Sequence, residues 1–333
     1  MDCGGKSSRR RFRSTFLESQ KEKAASRRLA AAVQIISMNN NEQFAIEFRD
    51  VSLSFDDKRA LDEMSFQLER GQMICITGVS GSGKSVLLRV ASGLLVPDEG
   101  QVFIEGHSIA GLDEQGLLAL RSATMGIVFQ EQSLFTGMSV YDNTAYRLDE
   151  HGWPEADTER AVREILRFVG LEDDMEKFPE ELSVGMGRRL EFARALVGWP
   201  KIMLFDEATS GLDPINARIM LDLVIRARDI HQMSSLYVTK ELHEIPYLAS
   251  HSAVRQQSGE ISIQSVAGGS GGPANQMRVI LLEDGRVAFL GTPGEFESSN
   301  LAAVTRMTHP APGAPSTDTY IPDPWSRGKK PVS

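Results

Sequence analysis

Gly78-Val79-Ser80-Gly81-Ser82-Gly83-Lys84-Ser85 follows the spacing Gly-x-x-x-x-Gly-Lys-Ser, a pattern that lets backbone wrap a polyphosphate. Upstream, the apolar run Met73-Ile74-Cys75-Ile76-Thr77 reads as a buried strand. Downstream, Val86-Leu87-Leu88-Arg89-Val90 has helical composition. Strand, loop and helix in that order point successive N–H groups inward beside the positive end of a helix, where an anion is stabilised. On this reading Gly78, Ser80, Gly81, Ser82 and Gly83 form a phosphate cradle. Lys84 reaches the outer phosphates and the Ser85 hydroxyl holds Mg²⁺. A glycine-rich turn fitting the pattern by chance would not bring both flanking elements with it.

Further along, Ile202-Met203-Leu204-Phe205-Asp206-Glu207 is an apolar strand that ends in two carboxylates. The C-terminal ends of strands are where α/β sheets place their ligands. Asp206 is suited to Mg²⁺ and Glu207 to polarising an attacking water. An acidic pair at a strand end is common by itself; it gains meaning by following a phosphate loop. Between the two lies Glu181-Leu182-Ser183-Val184-Gly185-Met186-Gly187-Arg188-Arg189-Leu190. Ser183 is a good helix N-cap, with Leu190, Ala193 and Val197 as an apolar stripe behind it. A plain capped helix explains those features, but a capped start with small residues is also an anion site.

The intervening chain alternates strand and helix. Even or nearly even spacing of Ile46, Phe48, Leu53 and Phe55, then Leu61, Phe66 and Leu68, predicts strands; Gln101–Ile104 and Met125–Phe129 follow. Residues from about 131 to 197 read mainly as helix, with Ala161, Val162, Ile165, Leu166 and Val169 on one face. A helix bearing Ile219, Met220, Leu223 and Val224 then leads to the strand Leu236–Thr239. Strands return at Val279–Leu282 and Val287–Leu290. This alternation implies a mainly parallel sheet covered by helices. The reading divides the chain into a basic extension (1–43), a body (44–297) with a flexible glycine-rich loop at 256–275, and a Pro/Ser/Thr-rich tail (298–333).

The phosphate loop, a glutamine after a strand, a helical insertion, Leu-Ser-x-Gly, and Asp-Glu-Ala-Thr-Ser-Gly-Leu-Asp-Pro together resemble the nucleotide-binding domain of an ATP-binding cassette (ABC) transporter. The resemblance covers about residues 44–297. It implies an α/β P-loop NTPase (RecA-like) core with a mainly parallel sheet, an antiparallel β subdomain and an inserted helical subdomain. It implies ATP and Mg²⁺ as ligands. It further implies that Phe55 stacks on adenine and that Gln130 senses Mg²⁺ and the γ-phosphate. Ser183 and Gly185 would contact the ATP of an opposite subunit, and Asp213 lies in the loop that communicates between the two sites.

Two positions depart from the family pattern. Val184 replaces a glycine of the usual Leu-Ser-Gly-Gly, and Lys240 stands where the family presents a histidine to the γ-phosphate. His243, three residues on, is expected to face another way. A lysine offers a flexible point charge instead of a planar ring with a neutral form, so slowed or retimed hydrolysis is expected. The resemblance further implies a head-to-tail dimer of two copies sandwiching two ATP, driving a separate integral membrane permease from the cytoplasmic face. Met186 with Arg188 and Arg189 resembles the ATPases of Mla/Mce-type phospholipid-trafficking systems, with an Mce-domain protein as a further partner. An importer ATPase for another solute remains open, as do a soluble ABC ATPase of the iron–sulfur-assembly type and a binding-only regulatory protein.

Bulk properties bound the rest. No window approaches the roughly 18–20 uninterrupted apolar residues of a spanning helix, so a membrane role is expected to come through a partner. Cys3 and Cys75 supply neither a disulfide framework nor metal-ligand spacing. The net charge of −9 conceals a basic start: nine Lys/Arg in the first 30 residues face Asp2, Glu18 and Glu22. An acidic body argues against nucleic acid as a partner. The basic start reads as a disordered tail, an Arg/Ser-rich transit peptide, or an extension ahead of a start at Met38.

Overall fold

The computed structural model describes residues 43–299 apart from 57, 132, 258 and 267–275. Its first half comprises β1 (Phe44–Phe55), β2 (Lys58–Glu69), β3 (Met73–Gly78), α1 (Lys84–Ala91), β4 (Glu99–Ile104), β5 (His107–Ser108), α2 (Glu114–Thr124), β6 (Met125–Val128), α3 (Val140–Glu150) and α4 (Glu155–Val169). Then come α5 (Val184–Leu196), β7 (Ile202–Asp206), α6 (Pro214–His231), β8 (Ser234–Val238), α7 (Glu244–Ser250), β9 (His251–Arg255), β10 (Ile261–Ser265), β11 (Arg278–Glu283), β12 (Arg286–Gly291) and α8 (Pro293–Glu297).

The central sheet has the order β12-β11-β3-β8-β7-β6, parallel except for the antiparallel edge pair β11–β12. Its inner strands are apolar throughout because both faces are covered. On β3, Met73 and Cys75 join one core while Ile74 and Ile76 join another. On β7 the same split sends Met203 and Phe205 one way and Ile202 and Leu204 the other. The first core holds α4, α5 and α6 residues, including Ile165, Phe192 and Val224; the second holds α1 and the antiparallel sheet β2-β1-β4-β5. This is the α/β P-loop NTPase fold with a parallel core and a separate antiparallel sheet.

Between β6 and β7 the chain leaves the sheet and forms α3, α4 and α5. Helix α4 buries Val162, Ile165, Leu166 and Val169 and stops at Gly170, whose φ of +70° a side chain would strain. The expected glycine-rich loop at 256–275 needs correction. Residues Ile261–Ser265 form β10, paired antiparallel with β9, and Ile261 and Ile263 pack against the first core. Their alternating apolar pattern wins locally over the glycine content that follows. Residues 267–275, the basic start and the tail lie outside the described residues. Among the described residues, no helix is long and apolar enough to cross a membrane.

Candidate functional site

The phosphate loop leaves β3 between β11 and β8, at the C-terminal edge of the parallel strands. Two of its glycines are required by contact. At Gly78 (φ +149°) a Cβ would lie 2.4 Å from the Leu282 carbonyl oxygen, and at Gly83 (φ +104°) 2.5 Å from that of Ala60. Ser80 and Gly81 sit exposed at the tip, with open space beside Gly81. The Ser82 hydroxyl is buried without a hydrogen-bond partner. Such an orphan is what an oxyanion in the loop would satisfy.

Lys84 opens α1 and its side chain folds back over the loop. Its Nζ donates to the carbonyls of Gly78 at 2.7 Å and Val79 at 3.0 Å. Burial pulls the ammonium below its ordinary range, while Glu207 and Asp206 push it back up. Next to it, the Ser85 hydroxyl donates to Asp206 Oδ1 at 3.2 Å. Burial raises the Asp206 carboxyl, against that hydrogen bond. Ser85 and Asp206 thus present facing oxygen donors, the chemistry a hard divalent cation takes.

Glu207 follows at a φ of +49°, a left-handed conformation uncommon for a side-chain-bearing residue, with its N–H donating to the Val238 carbonyl at 3.0 Å. That conformation turns the carboxylate out of the strand line. Its Oε2 accepts from Gln130 Nε2 at 3.1 Å and pairs with Lys240 Nζ at 3.2 Å. Residues from two other loops therefore converge on one carboxylate oxygen. Sequence reading gathers Lys84, Ser85, Asp206, Glu207, Gln130 and Lys240 as candidates; one hydrogen bond joins Ser85 to Asp206, a second set joins Gln130 and Lys240 to Glu207, and Lys84 bonds the loop carbonyls.

The other candidates stand apart. Phe55 is 46% exposed at the end of β1. Ser183 caps α5, its Oγ accepting from the Met186 N–H at 3.3 Å. The side of Gly185 where a Cβ would stand faces the Asn216 carboxamide, 2.2 Å from its Oδ1. A side chain at Gly185 would therefore have to displace the Asn216 carboxamide. Asp213 caps α6 by accepting from the Ile215 and Asn216 N–H groups, and Asn216 holds its carboxyl below the usual range. His243 stands at the N-cap of α7 beside Glu241.

One residue that sequence reading does not single out is Glu244. Its carboxylate is buried and accepts from the Tyr237 hydroxyl at 3.0 Å and from the Thr209 hydroxyl. It thereby braces the loop after Glu207 against the loop carrying Lys240. Burial raises its carboxyl above the usual range. A raised acid favours folding while protonated, so its contribution is complete below the ordinary carboxylate range and is lost as pH rises through the folded-state value. Glu244→Gln removes that dependence. The melting temperature of the variant is expected to gain on the unsubstituted chain between about pH 5 and about pH 8. A gap that stays constant with pH would contradict the assignment; Asp206, present in both chains, cancels in the comparison.

With this geometry in hand, the relatives are informative. Residues 61–210 match the family described as "ABC transporter". The methionine import ATP-binding protein of Leifsonia xyli subsp. xyli is 39% identical over 212 residues, covering 63% of this chain and 62% of that protein. Its counterpart in Corynebacterium diphtheriae is 36% identical over 225 residues, 66% of each. The glycine betaine/carnitine transport ATP-binding protein of Listeria monocytogenes is 32% identical over 224 residues, 67% of this chain and 56% of that protein. The chain therefore spans less than two thirds of the length of these curated relatives. Among solved structures, a part of the ABC transporter complex cbiONQ of Clostridium perfringens superposes with a TM-score of 0.64 at 24% identity, over 78% of this chain and 92% of that one. A dimeric bacterial ABC transporter cassette gives 0.62 at 24% identity, over 74% and 98%. At that identity the structural likeness carries the fold alone.

Proposed function

This chain carries an ABC transporter ATP-binding domain, and on that premise we propose that it is the ATP-hydrolysing subunit of an importer for a small solute. The observation that carries the ATPase reading is the meeting of Gln130 and Lys240 on Glu207 Oε2 beside Lys84, Ser85 and Asp206. Lys84 neutralises charge on the outer phosphates, and the loop N–H groups hold them in line. Glu207 accepts the proton of the attacking water, while Gln130 orients it. Ser85 and Asp206 would hold Mg²⁺, with Gln130 beside them, and the ion supplies further charge neutralisation at the phosphates. Phe55, exposed at the strand end, takes the adenine.

Ser183 and Gly185 act on the nucleotide of a second copy, and Asp213 lies in the loop that faces it. Support for that arrangement comes from Val184, which is 61% exposed at the N-terminus of α5, so that helix end is open to a partner. A head-to-tail pair then closes on ATP and separates after hydrolysis, moving a membrane permease from the inner face.

Relatives named for methionine import and for glycine betaine/carnitine transport support the small-solute reading, and methionine is the first solute to test. The lipid-trafficking expectation, with its Mce-domain partner, has no support among these relatives. Its motif is also used internally: Arg188 donates to the Phe129 carbonyl and Arg189 to that of Val169. Co-purification from detergent-solubilised membranes tests the assignment. Recovery with a multi-spanning permease is expected; recovery with iron–sulfur-assembly proteins alone would overturn it.

Lys240 holds back the rate in this account, because its ammonium occupies the carboxylate oxygen that must take the water's proton. Lys240→His is expected to raise steady-state ATP hydrolysis about tenfold, within the range of general-base effects. An unchanged rate would rule the idea out.

A further inference from the structure

Gln130 reaches Glu207 from a loop whose backbone is gripped by one helix. Arg188 Nη1 donates to the Phe129 carbonyl at 3.1 Å, and its Nη2 donates to the Gln130 carbonyl. Arg194 donates to the Ser133 carbonyl and to the Ser133 hydroxyl, both at 2.6 Å. Glu191 Oε1 accepts the Ser133 N–H at 2.8 Å, and its Oε2 pairs with Arg188 at 2.9 Å. The Arg188 and Glu191 side chains are 8% and 3% exposed. Two charges are not buried together by the fold unless each is fully used, and here every contact goes to the loop or to its partner. A bare capped helix needs none of these groups.

Arg188, Glu191 and Arg194 all lie on α5, the 13-residue helix that starts at Ser183. Helix and loop residues therefore share one rigid body, about 20 Å long at 1.5 Å per residue. Its N-terminus is the end proposed to meet a second copy, and its loop side holds Gln130 on Glu207. We propose that Arg188, Glu191 and Arg194 are positioning residues that lock the Gln130 loop to α5, so that a displacement of α5 is delivered to Glu207 through Gln130. This rests on the ATPase reading above. The link is mechanical: the helix moves the backbone carbonyls and N–H that it holds, and the Gln130 side chain follows.

Arg188→Lys tests it, because lysine keeps the charge beside Glu191 but lacks the fork that spans two carbonyls. In the full chain, the variant is expected to lower kcat for ATP hydrolysis about tenfold with KM within about twofold. In a Gln130→Ala background the same substitution is expected to cost less than about twofold, since both act through one side chain. An equal loss in both backgrounds, or a KM that rises in step, would overturn the proposal. Should Arg188→Lys fold poorly, Arg194→Lys, which loses one of its two Ser133 contacts, takes its place.

A second readout needs no catalysis. A nitroxide at Glu131→Cys, in a Cys3→Ser background that leaves the buried Cys75, is expected to gain mobility on Arg188→Lys. Unchanged mobility would mean that the loop is not held by α5. Absence of hydrolysis by the unsubstituted chain would overturn the ATPase reading and the catalytic role built on it, while the nitroxide still decides whether the loop is locked.

Discussion

Lys84→Ala is expected to weaken Mg-ATP binding about a hundredfold, as measured by calorimetric titration of the full chain. Lys84 Nζ lies in the loop, donating to two of its carbonyls at 2.7 and 3.0 Å, so the ammonium is already positioned. The side chain is 7% exposed, and desolvation is the main pull on its charge. A partly desolvated cation gains more from an arriving phosphate than an exposed one, because its hydration has already been given up. Hydrogen bonds to charged groups contribute about 1.5–3 kcal/mol, and the upper end of that range corresponds to about a hundredfold in affinity. Removing the side chain also leaves the Gly78 and Val79 carbonyls without that donor, a smaller effect that water can offset. An affinity within about threefold of the parent would contradict the phosphate role of this loop.

Glu207→Gln separates binding from chemistry. The substitution is isosteric and keeps an oxygen that can accept from Gln130, but the amide cannot take a proton from water. General-base loss is worth about 10²–10⁴ in rate, so single-turnover phosphate release is expected to fall about a thousandfold. ATP affinity is expected to stay within about threefold, because Lys84, Ser85 and the loop N–H groups are untouched. The left-handed backbone at this residue, φ +49°, is retained by both side chains and adds no difference. A variant that still hydrolyses at more than about a tenth of the parent rate would move the base elsewhere.

The parts of the fold that reach the site were legible because their signals are local. Met73–Gly78 and Ile202–Asp206 are short, nearly continuous apolar runs, the composition of a strand with two covered faces. The loop glycines carry their own reason in sequence spacing. What the chain did not disclose is contact at long range. Arg188 enters the sequence reading only through a family resemblance and Arg194 not at all, yet both hold a loop about 60 residues earlier. Gly185 reads as half of an anion site, whereas its tight packing on Asn216 depends on how α5 crosses α6. Glu244 is not singled out in the sequence, because its partners, the Tyr237 and Thr209 hydroxyls, meet it only once β8 and the loop after Glu207 are folded together. The β9–β10 hairpin was hidden for a different reason: five alternating residues are too few to outweigh the glycines that follow.

The central claim is that this domain works as an ATP-closed pair, and light scattering after size exclusion tests it most directly. Glu207→Gln, with Mg-ATP present, is expected to run at the mass of two chains and to return to one chain when Lys84→Ala is added. A single-chain mass at saturating ATP, with nucleotide demonstrably bound, would contradict the account.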